Sequence, residues 1–139
     1  MAKKIEFIDL GLPSGRLWTT ENEEGYYAYD EAKEKFEELL PKPDAFVELW
    51  EECQWLWDVK NKGMIVVGPN KNTIFLPASG CQDYNSGINS LNGSRGYYWS
   101  QSLYNIDFAI DLYFCSSGVS PDYVYNRELG FSVRLCKEQ

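Results

Sequence analysis

Two kinds of spacing divide this chain near residue 57 and constrain what it can fold into. Before that point, apolar residues recur every three or four positions in two runs, with Glu and Lys between them. This is the spacing of a helix with one buried side. We expect two helices, the first capped by Asp30 and ended by Pro41, the second with Pro43 in its first turn. Their apolar positions are Ala32, Phe36, Leu39 and Leu40, then Phe46, Leu49, Trp50 and Cys53.

After residue 57, short apolar runs alternate with Gly, Pro and Asn, a pattern typical of strands joined by turns. The runs at 64–67 and 73–76 flank Gly68-Pro69-Asn70 and predict a hairpin. Early helices followed by many short strands predict a single α+β domain over residues 1–139. Further strands are expected within 5–18 on both sides of a turn at 13–15, and at 97–102, 108–115 and 131–136, with a long ordered loop at 77–96.

Charge and composition exclude several classes of partner. Lys and Arg number 13 against 21 Asp and Glu, a formal charge of −8, which would repel a phosphate backbone, so we expect no nucleic-acid partner. No apolar run approaches the roughly 18 residues of a membrane span, so we expect no membrane insertion. No secretory signal is readable at the N-terminus, because carboxylates interrupt its apolar residues.

The residue types also limit the chemistry. The chain has no histidine, which removes the common nucleophile pairs and the commonest metal ligand. Its four cysteines have no short paired spacing, so we expect free thiols, no structural zinc and no cofactor, while a single disulfide stays open. Asp107, Asp111 and Asp122 do not have the spacing of a calcium-binding loop. We expect no catalytic residue and no metal site. The five tryptophans, Trp18, Trp50, Trp55, Trp57 and Trp99, are expected to pack in the core.

The segment 103–127 is drawn from a restricted alphabet. It contains no Trp, Gln, Glu, Lys or Met, although these types supply 29 of the first 102 residues, a frequency that predicts about seven in 25. The residue types it does contain include Tyr, Ser, Asn and Gly, which recognition loops favour because they combine rigid aromatic contacts with adaptable hydrogen bonds. This composition indicates a binding surface and not a catalyst.

Strand parity suggests which side chains of that segment face outward. Within 108–115, Leu112 and Phe114 lie on one side of a strand, and Asp111, Tyr113 and Cys115 lie on the other. The apolar pair is expected to point into the core, and the other three into solvent. Phe108 and Ile110 lie on the same side of the strand as the apolar pair, but alternation alone does not decide whether they belong to the core or to the surface.

Blocks spread in order along nearly the whole chain resemble a family of C-type-lectin-fold domains common in gut bacteria and their phages. The first block is Phe-Ile-Asp-Leu-Gly-Leu-Pro-Ser-Gly-Arg-Leu-Trp at 7–18. The resemblance implies a C-type lectin-like fold, in which two helices pack on a small twisted antiparallel sheet with long ordered loops. The other blocks are Leu-Pro at 40–41, Cys-Gln-Trp at 53–55, Gly-Pro-Asn at 68–70, Ile-Phe-Leu-Pro-Ala-Ser-Gly at 74–80, Gly-Tyr-Tyr-Trp-Ser at 96–100 and Gly-Phe-Ser-Val-Arg-Leu at 130–135.

Some members of that group resemble the variable proteins of diversity-generating retroelements, whose C-terminal half is rewritten by adenine-directed mutagenesis, chiefly at Asn codons. Randomising the adenines of such codons cannot produce Trp, Gln, Glu, Lys or Met, the types missing from 103–127. By this resemblance 103–127 is a diversified segment and Ala109, Leu112, Phe114 and Val119 are its invariant frame. Glu128 departs from the pattern, so the segment ends near Asn126 or Glu128 belongs to the frame.

The implied function is a non-enzymatic ligand- or receptor-binding domain, as in phage tail tips or cell-surface display. Its partner would be a protein or glycan, and a homo-oligomer or larger surface assembly stays open, with synthesis in the cytoplasm. An alternative is a non-diversified accessory domain of a bacterial surface protein that binds polysaccharide or protein. The calcium and sugar motifs of animal C-type lectins and the reactive cysteine pair of formylglycine-generating enzymes are absent. The candidate ligand-binding residues are Tyr104, Asn105, Ile106, Asp107, Asp111, Tyr113, Cys115, Ser117, Asp122, Tyr123, Tyr125 and Asn126.

Overall fold

Strands dominate the computed structural model of the chain, which describes residues 5–83 and 85–139. Strands account for 43% of it and helices for 16%. In chain order the elements of these ranges are β1 (Phe7–Asp9), β2 (Leu17–Thr19), α1 (Tyr29–Phe36), a 3-10 turn (Glu37–Leu39), α2 (Pro43–Glu52), β3 (Gln54–Asp58), β4 (Gly63–Val67), β5 (Thr73–Pro77), β6 (Cys81–Gln82), β7 (Asn89–Ser90), β8 (Arg95–Leu103), β9 (Phe108–Cys115), β10 (Gly118–Asn126) and β11 (Cys136–Lys137).

The strands of the described ranges form four small sheets, and every strand pair is antiparallel. Their orders are β1-β2-β11, β3-β4-β5, β6-β7 and β10-β9-β8. The expected hairpin around 68–70 is confirmed, because β4 and β5 pair from Gly63↔Pro77 to Val67↔Thr73. The sheet of β8, β9 and β10, called the central sheet below, contains most of the segment 103–127.

Both predicted helices are present, with some differences at their ends. Pro43 begins α2 as expected, since its missing N–H would be unpaired there in any case. Asp30 does not cap α1, which begins one residue earlier, at Tyr29. The Glu31 carboxylate instead accepts a hydrogen bond of 2.9 Å from the backbone N–H of Ala28, the residue just before the helix. Cys53 lies just beyond α2 in extended backbone.

The predicted α+β, C-type lectin-like arrangement of two helices on one small sheet is wrong, because the chain is β-rich and distributes its strands over four sheets. Neither β3 nor β10 was expected to be a strand. Gln54–Asp58 follows directly on a helical pattern, and Gly118–Asn126 contains Gly, Pro, Asp and Asn, which strands disfavour. Conversely, 131–136 pairs as a strand only at Cys136, and the expected loop 77–96 includes β6 and β7. Tyr84, within that loop, lies outside the described residues.

An apolar cluster packs against each side of the central sheet, and this decides the geometry of the candidate site. Its α2 side carries Tyr98, Leu112 and Phe114, which pack with α2 and the β3–β5 sheet in one apolar cluster. Its α1 side carries Tyr97, Trp99, Ala109, Tyr113 and Tyr125, which belong to a second apolar cluster. That second cluster also contains Tyr29 and Ala32 of α1 together with Leu40, Phe131, Val133 and Leu135.

Candidate functional site

The twelve predicted ligand-binding residues do not converge on one spot. β9 and β10 form a hairpin that runs from Phe108↔Asn126 at one end to Cys115↔Gly118 at the other, a span of roughly 23 Å at the usual rise per strand residue. Tyr104, Asn105, Ile106, Asp107 and Asn126 lie at the first end, called the loop tip below. Cys115 and Ser117 lie at the other end. Asp111, Tyr113, Asp122, Tyr123 and Tyr125 lie between the two ends.

The loop tip presents large apolar side chains to solvent. Tyr104 is 65% exposed and Ile106 is 81% exposed, and they are flanked by Leu103 and Phe108, at 43% and 38%. Five of the eleven exposed large hydrophobic residues in the described ranges fall within the 25 residues of 103–127. The fifth is Tyr123. Apolar surface gathered in this way is typical of a binding site.

The backbone of the loop tip is held in place although its side chains are exposed. The Asn105 side-chain oxygen accepts hydrogen bonds of 2.9 Å from the backbone N–H groups of Asp107 and Phe108. Arg127 donates from its backbone N–H to the Asp107 carbonyl and from its guanidinium to the Ile106 carbonyl, each at 3.0 Å. That guanidinium also pairs with Asp30 of α1. The loop tip is therefore tied to the rest of the domain.

A shallow cavity of about 230 Å³ opens beside the loop tip. Three of the twelve predicted residues line it, namely Ile106, Asp107 and Asn126, together with Arg127 and Glu128. The structure thus brings these three together, as a binding site would require. Sequence reasoning missed Arg127, whose place at the border of the restricted alphabet gave no sign that it anchors the loop tip.

Three tyrosines in the middle of the hairpin and one of β8 form a group linked by ring contacts, called the tyrosine cluster: Tyr97, Tyr113, Tyr123 and Tyr125. Ring centroids of Tyr123 and Tyr125 are 5.0 Å apart, and those of Tyr97 and Tyr113 are 5.1 Å apart. Phe131 lies beneath, stacked on Tyr97 at 4.8 Å. Tyr123 is the most open of the four, at 45% exposure. Three of the four were predicted. Tyr97 was missed because its strand was interpreted as core.

Asp111 is not on the surface, and the expectation of an outward-facing side chain at this position is wrong. It is fully buried. Parity placed Asp111 on the side opposite Leu112 correctly, but that side of the central sheet is covered as well, so parity does not decide exposure here. Among the described residues, neither carboxylate oxygen of Asp111 has a hydrogen-bond partner. Burial raises the pKa of this carboxyl well above its ordinary range.

The turn at the other end of the hairpin contains Cys115, whose thiol differs from those of the remaining cysteines. Its sulfur lies 3.1 Å from the Ser117 hydroxyl, and this hydrogen bond is the main cause of a lowered pKa of the Cys115 thiol. Burial raises the pKa of the Cys53 thiol to about 11 and that of Cys136 to about 12, with nearby carboxylates contributing. All four cysteines are free thiols in this structure.

We therefore expect Cys115 to react with iodoacetamide at pH 8 much faster than Cys53, with Cys136 reacting only on unfolding, because the thiolate is the reactive species. Mass spectrometry of timed samples measures each rate. Cys53 and Cys115 are both half-buried, so the comparison isolates the effect of the pKa. Equal rates for the two would contradict the described turn geometry, and Cys115→Ser should remove the fast phase.

The structure separates tyrosines that sequence analysis treated alike. From the sequence, we would expect the joint replacement of Tyr104, Asp111, Tyr113 and Tyr125 by Ala to have little effect on stability. Because some of these residues are buried or half-buried in the structure, we now expect this replacement to lower the stability of the domain strongly. We expect Tyr104→Ala to change the free energy of unfolding by less than about 0.5 kcal/mol. Tyr125→Ala should cost more than about 1 kcal/mol through lost ring contacts with Tyr97 and Phe131. Urea denaturation of both variants measures the difference, and equal effects would contradict it.

Other expectations for the chain have mixed outcomes. Trp18 and Trp99 are fully buried, as expected of core residues, whereas Trp50 is 45% exposed on α2. The periodicity at 46–53 predicted Phe46, Leu49 and Trp50 on one apolar side, and the helix buries Phe46 and Leu49 but leaves Trp50 exposed. Within the described ranges, no cluster of three potential metal ligands occurs. Neither helix there combines the length and apolar character that crossing a bilayer requires.

These features define a β-rich domain whose central antiparallel sheet carries an apolar loop tip and a tyrosine cluster. The chain belongs to the family described as "Domain of unknown function (DUF8237)", whose match covers residues 52–136. That range includes β3 through β10 and all of 103–127. The family description assigns no activity and provides no link to retroelement variable proteins. No match is found among curated proteins or among solved structures.

Proposed function

We propose that this chain is a non-enzymatic ligand-binding domain whose recognition surface is the segment 103–127, of the kind carried by retroelement variable proteins. One observation carries the proposal. The segment with the restricted alphabet coincides with the exposed apolar loop tip and the half-open tyrosine cluster of the domain. A recognition surface needs these two properties together, a varied and adaptable composition and accessible aromatic or apolar side chains.

The structure around the proposed surface is consistent with this function, because buried side chains of the central sheet hold the surface in place. Leu112 and Phe114 are fully buried and alternate along β9 with the half-buried Tyr113 and Cys115. A rigid sheet beneath variable side chains keeps the ordering cost of binding low, since the backbone is already fixed before the ligand arrives. The hydrogen bonds of Asn105 and Arg127 extend this support into the loop tip.

The chemistry of the loop tip favours a protein ligand over a glycan. Leu103, Ile106 and Phe108 offer apolar surface with no hydroxyl or amide to pair with sugar hydroxyl groups, and exposed aliphatic and aromatic side chains are the anchors of protein–protein contacts. Because the chain has a formal charge of −8, we expect such a protein partner to carry a complementary basic surface.

Paired display libraries test the binding function. One library randomises five exposed positions of the proposed surface that do not anchor the loop tip, Tyr104, Ile106, Asp107, Asp122 and Tyr123. The matched control randomises five exposed positions on α2, β3 and the following turn, Glu51, Glu52, Gln54, Leu56 and Lys60. Each is sorted first for protease resistance and then for binding to the same basic proteins and polysaccharides. We expect the first library to retain the fold and to yield protein binders at a higher frequency than the control.

Equal yields from the two libraries would contradict the proposal, because the segment 103–127 would then have no privileged role. Widespread loss of protease resistance in the first library would contradict it as well, since a recognition surface must tolerate replacement. Binders obtained only against polysaccharides would favour the accessory-domain alternative.

A further inference from the structure

From the position of Asp111 we propose that the tyrosine cluster and the Asp111 carboxyl form a binding site for an organic ammonium group, with Tyr123 as its movable cover. The inference rests on the proposed function and adds a ligand class to it. An unpaired acid in an apolar interior costs stability, so its presence requires a compensating role.

The strand register places Asp111 directly beneath the cluster. Asp111 pairs with Tyr123 of β10 on one side and with Trp99 of β8 on the other. Side chains of such cross-strand pairs lie next to each other on the same face of the sheet. Both neighbouring strands are irregular here, with register shifts between Ser120 and Tyr123 and between Trp99 and Leu103. Such bulges are typical of places where a strand re-aims a side chain.

The surroundings of the carboxyl match an ammonium ligand better than any other class. No Lys or Arg contributes to the pKa of Asp111. Arg95 interacts electrostatically with Tyr97 and Tyr113, but it pairs across the sheet with Cys115, four residues from Asp111 along β9. The rings around it present electron-rich faces, which attract ammonium groups, most strongly where water is excluded. A cation brought close to the carboxyl favours its ionised form, so binding would release one proton to solvent. An anionic ligand would find no positively charged partner beside this acid.

Tyr123 is the ring that has to move, because the closed cluster leaves the carboxyl no exposure. Tyr123 is the most exposed member of the tyrosine cluster. Its ring contacts Tyr113 at 5.5 Å and Tyr125 at 5.0 Å. Rotation of this one side chain away from the sheet opens a path to Asp111, whereas Tyr97 and Tyr125 are held from below by Phe131.

The ammonium group could belong to a small molecule or to a partner protein, and two probes distinguish these sources. Calorimetric titration with choline represents the small molecule, with 3,3-dimethylbutan-1-ol as its uncharged counterpart of the same shape. A short peptide containing one trimethyllysine represents the protein, with norleucine at that position as its control. We expect the charged member of at least one pair to bind the wild-type domain and both uncharged members to fail.

Three variants assign that binding to the site. Asp111→Asn should weaken it roughly tenfold or more, since it removes the charge in a site of low dielectric constant. Tyr123→Phe should retain it because the ring face remains, and Tyr123→Ala should lose most of it. Glu34→Gln, which removes an exposed carboxylate of α1, should leave it unchanged. Asp111→Asn is expected to fold stably, as argued in the Discussion, so its loss of binding would not reflect misfolding.

Absence of binding to both charged probes would overturn the inference, as would equal binding of the uncharged counterparts or an unchanged affinity in Asp111→Asn. Failure here would leave the proposed function intact if the library on the loop tip and β10 still yields protein binders. Failure of that library, with choline binding that depends on Asp111, would instead show a small-molecule site on a domain that is not a diversified receptor.

Discussion

Phe114→Ala is expected to lower the free energy of unfolding by about 3–5 kcal/mol, because the surrounding core cannot collapse into the space the ring leaves. Phe114 is fully buried, and its ring stacks on Tyr98 with centroids 6.0 Å apart. The ring also lies against Gly96, where any Cβ would overlap it. Leu112→Ala, on the same side of the central sheet, should cost about 2–5 kcal/mol for the same reason.

Phe108→Ala provides the matched control for Phe114→Ala. Both residues belong to β9 and are separated by an even number of positions, so alternation places them on the same side of the strand, but Phe108 is 38% exposed at the loop tip. We expect its replacement to cost less than about 1 kcal/mol. Urea denaturation followed by tryptophan fluorescence measures all three variants, and unchanged m-values would confirm that the same transition is compared. A silent Phe114→Ala would show that the central sheet is not the frame of the domain.

Asp111→Asn is expected to stabilise the domain at neutral pH, by an amount that grows as the pH rises. Burial holds the pKa of Asp111 well above its ordinary range, whereas in the unfolded chain this carboxyl titrates near about 3.9. Between the two values the native state holds a proton that the unfolded state has lost. The free energy of unfolding therefore falls as the pH rises from about 4 through the folded-state pKa.

The amide does not titrate, so the variant loses this pH dependence while keeping nearly the same shape. Thermal melts of both proteins at pH 4, 6 and 8 should show a small difference in Tm at pH 4 and a clearly larger one at pH 8. Comparison with the wild type cancels the effect of the other carboxylates, and Glu34→Gln controls for the loss of one negative charge. A Tm difference independent of pH would contradict the buried position of Asp111.

Elements with strong local signals were predictable from the sequence. The helices at 29–36 and 43–52 and the hairpin around 68–70 follow from periodicity and turn chemistry, and the bounds predicted for β9 agree with the structure. β10 was not predictable, since Gly118, Pro121 and Asn126 disfavour strands. Its formation depends on pairing with β9 on both sides of the irregularity between Ser120 and Tyr123, which is a tertiary effect that a single-sequence pattern does not contain.

The same limit applies to the candidate site. Composition alone marked 103–127 as unusual, and the exposure of Tyr104 and Ile106 agrees with an outward position. The burial of Asp111 could not be predicted from the sequence. Alternation along a strand shows which side chains share a side of the sheet, but it does not show whether both sides are covered. Tyr97 joins the cluster through contacts with residues 16 and 28 positions away in the chain.

Sequencing this gene from many members of one host population tests the central claim most directly, since a diversified recognition surface leaves a record in the codons. We predict substitutions concentrated at 104–107, 122, 123 and 126, with Ala109, Leu112, Phe114 and Val119 unchanged, and a near-identical template copy close to a reverse transcriptase gene. Substitutions spread evenly along the chain, or confined to positions outside 103–127, would contradict the claim that this segment is a diversified recognition surface.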